Sequence, residues 1–137
     1  MSKSKIIAAL VSVMVLLSLI YFWPSLRILL SDSAYYTEKD ERQYNLLTDD
    51  IIKYCPRISA DYEFSYGAAE GPGKEVSAIT FKNSTDMDTI KNYLSLMGFS
   101  LDYSDFSGEY WKSANSDKIV HIGIIENPKT TVVEVLK

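Results

Sequence analysis

The sequence predicts an α+β protein. An N-terminal single transmembrane helix precedes a small domain, with two helices packed on one face of an antiparallel sheet of about five strands. The expected order is α-β-β-α-β-β-β. Three observations predict it. Residues 6 to 23 form an apolar run without a charge, broken only by Ser12 and Ser18. Two later stretches repeat apolar residues at helical spacing. Between and after them, short stretches alternate apolar and polar residues and are bounded by turn residues.

The apolar run comes first. At ~1.5 Å rise per residue, eighteen helical residues span roughly 27 Å, close to a ~30 Å hydrocarbon core. A helix satisfies its own backbone polar groups and so tolerates lipid. A core helix of a soluble protein shows a polar face, and this run has none. A cleavable signal has an apolar stretch of about 7 to 15 residues followed at once by small residues. Here the run ends in Tyr21, Phe22 and Trp23, and the nearest small-residue site lies near Ala34. The run therefore reads as an uncleaved anchor. Ile6, Leu10, Val15 and Leu19 face lipid, and Tyr21, Phe22 and Trp23 sit at the far interface, where amphipathic rings are favoured.

Charge sets the expected orientation. Lys3 and Lys5 precede the run and only Arg27 closely follows it, which places the N-terminus in the cytoplasm. The expected segments are a short cytoplasmic N-terminus (1–5), a signal-anchor helix (6–23, extending to about 30), a linker (31–36) and an extracytoplasmic domain (37–137). Residues 31–137 hold all 18 acidic residues and 11 basic ones, a net charge of −7. Such a domain lacks the basic surface that nucleic acid requires. It suits a cationic partner.

Within the domain, Thr37 to Cys55 reads as a helix. Thr37 and Asp40 have capping-box spacing, Tyr44, Leu47, Ile51, Tyr54 and Cys55 form the apolar stripe, and Pro56 ends it. Arg57 to Tyr66 alternates as a half-buried strand. Gly67 to Glu75 is a loop, and Val76 to Lys82 is a second strand. A second helix opens at Asn83-Ser84-Thr85, buries Met87, Ile90, Leu94 and Met97, and stops at Gly98. Phe99, Leu101 and Tyr103 alternate briefly, a pattern compatible with a further short strand. Glu109–Ala114, Lys118–Glu126 and Thr130–Leu136 read as strands.

No stretch supports catalysis, a cofactor or a metal. The Gly67–Glu75 loop has Ala68 where a phosphate loop needs its first glycine and Glu75 where it needs Ser or Thr, and a strand follows it. His121 is the only histidine, too few for a multi-histidine metal site. Cys55 is the only cysteine, so no intrachain disulfide forms, and its register favours burial. Asp86 with Asp88 suits a helix start, Asp102 with Asp105 a turn, and the acceptor pattern Asn83-Ser84-Thr85 a helix entry.

The aromatic residues Tyr103, Phe106, Tyr110 and Trp111 crowd into nine positions rich in Ser and Asp. Tyr and Trp are frequent interface anchors. Adjacent residues on a strand face opposite ways, so at most one of Tyr110 and Trp111 enters the core. These four residues are the expected partner surface. The resulting expectation is a single-pass, membrane-anchored, non-enzymatic protein. Its acidic domain binds another envelope protein in or near the membrane, as an assembly or accessory factor. Two alternatives share this layout: a membrane-tethered immunity-type protein that neutralises a cationic toxin, and a ligand-binding module or envelope enzyme.

Overall fold

The computed structural model describes residues 2–69 and 73–137. The chain divides into two compact units, Met1–Ser31 and Asp32–Lys137. The first is one helix, α1 (Lys3–Leu29), which continues through Pro24. Its mean hydropathy reaches 2.5 and no residue of it is buried. At 27 residues it is about 40 Å long, enough to cross a bilayer. Ser12 and Ser18 donate to the carbonyls of Ala8 and Met14, each at 2.9 Å, so neither hydroxyl is left unpaired.

The second unit is a seven-stranded antiparallel sheet with three helices. Its elements are β1 (Ser33–Tyr36), α2 (Glu41–Leu47), α3 (Asp50–Lys53), β2 (Tyr62–Gly67), β3 (Val76–Lys82), α4 (Met87–Leu96), β4 (Ser100–Asp105), β5 (Gly108–Ser113), β6 (Ser116–Glu126) and β7 (Lys129–Leu136). The spatial order is β1-β2-β3-β7-β6-β5-β4. The last strand in sequence therefore lies at the centre.

The expected five strands are corrected to seven. Ser33–Tyr36, expected as linker, pairs with β2 as an edge strand, and Tyr36 is buried there, its hydroxyl 2.7 Å from Thr48 Oγ1. The second addition is β4, where the brief alternation through Leu101 and Tyr103 is a strand from Ser100 to Asp105. The single helix expected over Thr37–Cys55 is two helices. Thr48 turns extended, and Asp49 caps α3 by accepting from the Ile51 N–H at 2.9 Å. The Asp40 carboxylate does accept the Thr37 N–H, at 3.0 Å, but closes a turn ahead of α2. Because the break resets the helical phase, Tyr54 faces solvent while Ile51, Ile52 and Cys55 are buried. The strand expected from Arg57 starts only at Tyr62.

Helix α4 ends as expected before Gly98 but starts at Met87, later than the expected opening at Asn83-Ser84-Thr85. Asp86 caps it, accepting from Thr89 N and Thr89 Oγ1. Its exit is a Schellman turn: Phe99 N–H bonds Leu94 O at 2.9 Å, Gly98 N–H bonds Ser95 O at 3.1 Å, and Gly98 takes φ +89°. Ile90 and Leu94 are fully buried, whereas Met97 is exposed rather than part of the stripe.

The core lies between these helices and one face of the sheet. Phe64, Ile79, Val133 and Ile122 stand side by side on β2, β3, β7 and β6, and all four are fully buried. A polar clasp joins the helices to the sheet behind them. Asp49, 3% exposed, receives Lys118 Nζ at 2.7 Å and Lys137 Nζ at 3.3 Å, and its N–H donates to Ser77 Oγ at 2.9 Å. Burial alone would raise the Asp49 carboxyl; the Lys118 hydrogen bond, the Ile51 N–H and the two ammonium charges outweigh it and hold it below the usual carboxylate range.

The candidate docking face

Strand alternation sends successive side chains to opposite faces of the sheet. The core face carries Trp111, Val120 and Val135. The contacts that helices α2, α3 and α4 make with the sheet fall on that face: Tyr44 on Phe64, Lys91 with Glu109 at 3.2 Å, Asp49 with Lys118, and Ser84 O with Thr131 Oγ1. The opposite face carries Tyr103, Tyr110, His121 and Glu134 in one row, each the cross-strand partner of the next. The adjoining row holds Lys112, Ile119, Leu136 and Val76.

The row is a ladder of rings. Tyr103 stacks on Tyr110 with centroids 4.5 Å apart and planes at 15°. Tyr110 lies 4.6 Å from the His121 ring. His121 Nδ1 meets Glu134 Oε2 at 3.2 Å, and Nε2 meets Ser107 Oγ at 3.3 Å. Cross-strand aromatic pairs stabilise a sheet by roughly 0.2–1 kcal/mol each, so the ladder also stiffens the β4–β5–β6 ribbon.

The hairpin tip between β4 and β5 is fixed by Asp105. Its carboxylate accepts from Ser107 N at 2.8 Å and from Ser107 Oγ at 2.6 Å. These bonds hold the exposed Asp105 carboxyl below the usual carboxylate range. Gly108, at φ +142°, allows the tip to lie against β6; a Cβ there would meet Ile122 O at 2.0 Å.

Ser107, His121 and Glu134 follow the order of a nucleophilic triad. However, the Ser107 hydroxyl gives its proton to Asp105 Oδ1, at 2.6 Å, and not to the imidazole. That is not the direction in which a serine is activated. Beside the tip, on the core side, an open pocket of about 320 Å³ is floored by Ile122 and Ile124 and rimmed by Phe106 and Glu109. Among the described residues, no group of three or more His, Cys, Asp or Glu side chains comes together as a metal site.

The structure thus divides the four expected surface aromatics. Tyr103, 51% exposed, and Tyr110 share the face opposite α2, α3 and α4. Phe106 stands at the hairpin tip, its side chain fully in solvent at 103%. Trp111 is corrected to the core: at 7% exposure it lies on the helix face between Leu101 and Val120 in register. His121 and Glu134 join the row without having been singled out for it. Their pairing was readable from the β6–β7 turn, since Glu126 opposite Lys129 forces His121 opposite Glu134. Of the loop from Gly67 to Glu75, Glu70, Gly71 and Pro72 lie outside the described residues.

The class defined so far is an α+β domain preceded by one helix long and apolar enough to span a membrane. Comparison with protein-family models, with curated proteins and with solved structures finds no match.

Proposed function

We propose that this chain is a single-pass membrane protein, with its N-terminus in the cytoplasm and residues 32–137 outside. We propose further that the outer domain is not an enzyme. It binds another envelope protein through the sheet face opposite α2–α4, around Tyr103 and Tyr110. The observation that carries this reading is that the outer ring of the ladder, Tyr103, stands in solvent while Tyr110 and His121 behind it are half-buried. A small domain gains most by burying its large rings, yet here Tyr103 and Phe106 remain exposed on one hairpin. Tyr presents wide contact area at low entropic cost. The acidic balance of residues 31–137, net −7, favours a partner with a basic surface.

The anchor rests on α1. Its apolar side chains are exposed over the whole length, and lipid is the medium that removes such a surface from water. The orientation rests on Lys3 and Lys5 before the span.

The experiment is photo-crosslinking in intact membranes. A crosslinking residue at position 103 or 106 should yield a defined adduct, and one at the exposed Tyr54 should not. The same adduct from all three positions, or none from any, sinks the reading. Identification of the adduct as one basic toxin would select the immunity-type alternative over an assembly factor.

A further inference from the structure

The ring ladder is open at one end. It gains one member per strand, from Glu134 on β7 to His121, Tyr110 and Tyr103, and stops because β4 is the edge of the sheet. The rings stack along the direction of strand succession, so the outer face of Tyr103 points to where a further strand would lie. The backbone agrees. An edge strand presents a row of N–H and C=O groups with no partner, and every residue of β4 is exposed.

The charges around this edge are acidic in balance, with Asp102, Asp105 and Glu109 set against Lys91 and Lys112. Between Lys91 and Lys112 the chain carries Asp102, Asp105 and Glu109 and no basic residue. Glu109 is held by Lys91 on the core side. Asp102 is paired with Lys112 at 3.1 Å, but both side chains are well exposed, and such a pair contributes little and exchanges easily. On the core side of the same edge, Leu101 and Phe106 stand in solvent. A bulge at Asp102 interrupts regular pairing, which handicaps a long flat foreign edge and leaves short stretches for a short one.

We propose, resting on the partner-binding reading above, that β4 accepts an extended segment of a partner protein as an eighth strand. An Arg or Lys of that segment lies over the outer face of Tyr103. Cations are attracted to the face of an aromatic ring, Arg most often. Alternate residues of the segment are apolar and meet Leu101 and Phe106 on the other side. A second copy of this chain does not fit the site, because it would bring Asp102 and Asp105 against themselves.

The test uses the full chain in detergent micelles and a short synthetic peptide alternating Arg with Val. Hydrogen exchange should slow at Ser100–Asp105 and stay unchanged at the opposite edge, Ser33–Tyr36. A peptide with Gln in place of Arg should bind at least about fivefold more weakly, as should Tyr103→Leu, which keeps the strand and removes the ring. Equal protection by the Gln peptide, protection of both edges, or no protection overturns the proposal. So does a self-associated chain whose β4 is already protected without peptide. Crosslinks from position 103 to a partner that leaves β4 exchange unchanged would retain the docking face and reject strand addition.

Discussion

Replacing Asp49 with Asn should weaken the outer domain by roughly 2 kcal/mol, and the structure shows where that figure comes from. Asn keeps the volume and still offers an oxygen to the Ile51 N–H, so the cap of α3 survives. The negative charge is lost, and with it two charge-assisted bonds from Lys118 and Lys137. Hydrogen bonds to charged groups contribute about 1.5–3 kcal/mol each. Here the Lys118 and Lys137 side chains are 35% and 32% exposed, so each ammonium can turn to water instead of staying buried and unpaired. The lower end of that range therefore applies to the pair. Asp49→Ala removes the cap as well, adding about 1 kcal/mol and leaving the Ile51 N–H without its acceptor. The assay is denaturant unfolding of the full chain in micelles, followed by near-UV circular dichroism. Lys118→Met, alone and with Asp49→Asn, completes a double-mutant cycle. The cycle should show coupling of about 1 kcal/mol. Full additivity, or Asp49→Asn as stable as the parent chain, refutes the clasp.

The same carboxyl gives a pH dependence with a fixed sign. It sits below its unfolded value, so its contribution is complete above the ordinary carboxylate range of about pH 4 and fades as pH falls through the lower folded value; acid unfolding of the parent chain should be steeper than that of Asp49→Asn. Ile90→Ala or Leu94→Ala should each cost about 2–5 kcal/mol, since both side chains are fully buried, and near-zero effects in the same unfolding assay would contradict the assigned helix face. Gly108→Ala should disrupt the β4–β5 hairpin, because its Cβ would collide with the Ile122 carbonyl; loss of exchange protection along β5 is the readout, and unchanged protection would count against the tip geometry. Burial pushes the Cys55 thiol up to about 12, so alkylating reagents at neutral pH should label it only after unfolding.

Much of this architecture could be read from residue order. The apolar helix α1, the Gly98 stop of α4, and strands β3, β5, β6 and β7 carry a long apolar run, strong periodicity or unambiguous turn residues, and their observed bounds differ little from those expected. Two features escaped, and β4 showed only as a brief alternation, for physical reasons. Strand β1 is four residues long, Ser-Ala-Tyr-Tyr, too short to display alternation against an apolar helix. Strand β4 mixes Asp and Ser with its apolar residues, and the bulge at Asp102 breaks its phase. The break at Thr48-Asp49 hid inside a helical pattern because Leu47 and Ile51 keep the spacing across it, while the role of Asp49 depends on Lys118 and Lys137, far along the chain. The candidate face was half legible. Strand alternation already separated Tyr110 from Trp111, but which of them entered the core depended on the face that the helices cover.

The central position of β7 has a consequence for how the molecule comes into being. As the chain grows, β1, β2 and β3 can form one ribbon and β4, β5 and β6 another. Each ribbon then waits with one flank bare. Only the arrival of residues 129–136 closes both flanks at once, by pairing with β3 on one side and β6 on the other. Until that moment the nascent domain has two unfinished seams. A premature stop between β6 and β7, after Glu126, would leave two sticky half-sheets, not a smaller version of the same fold.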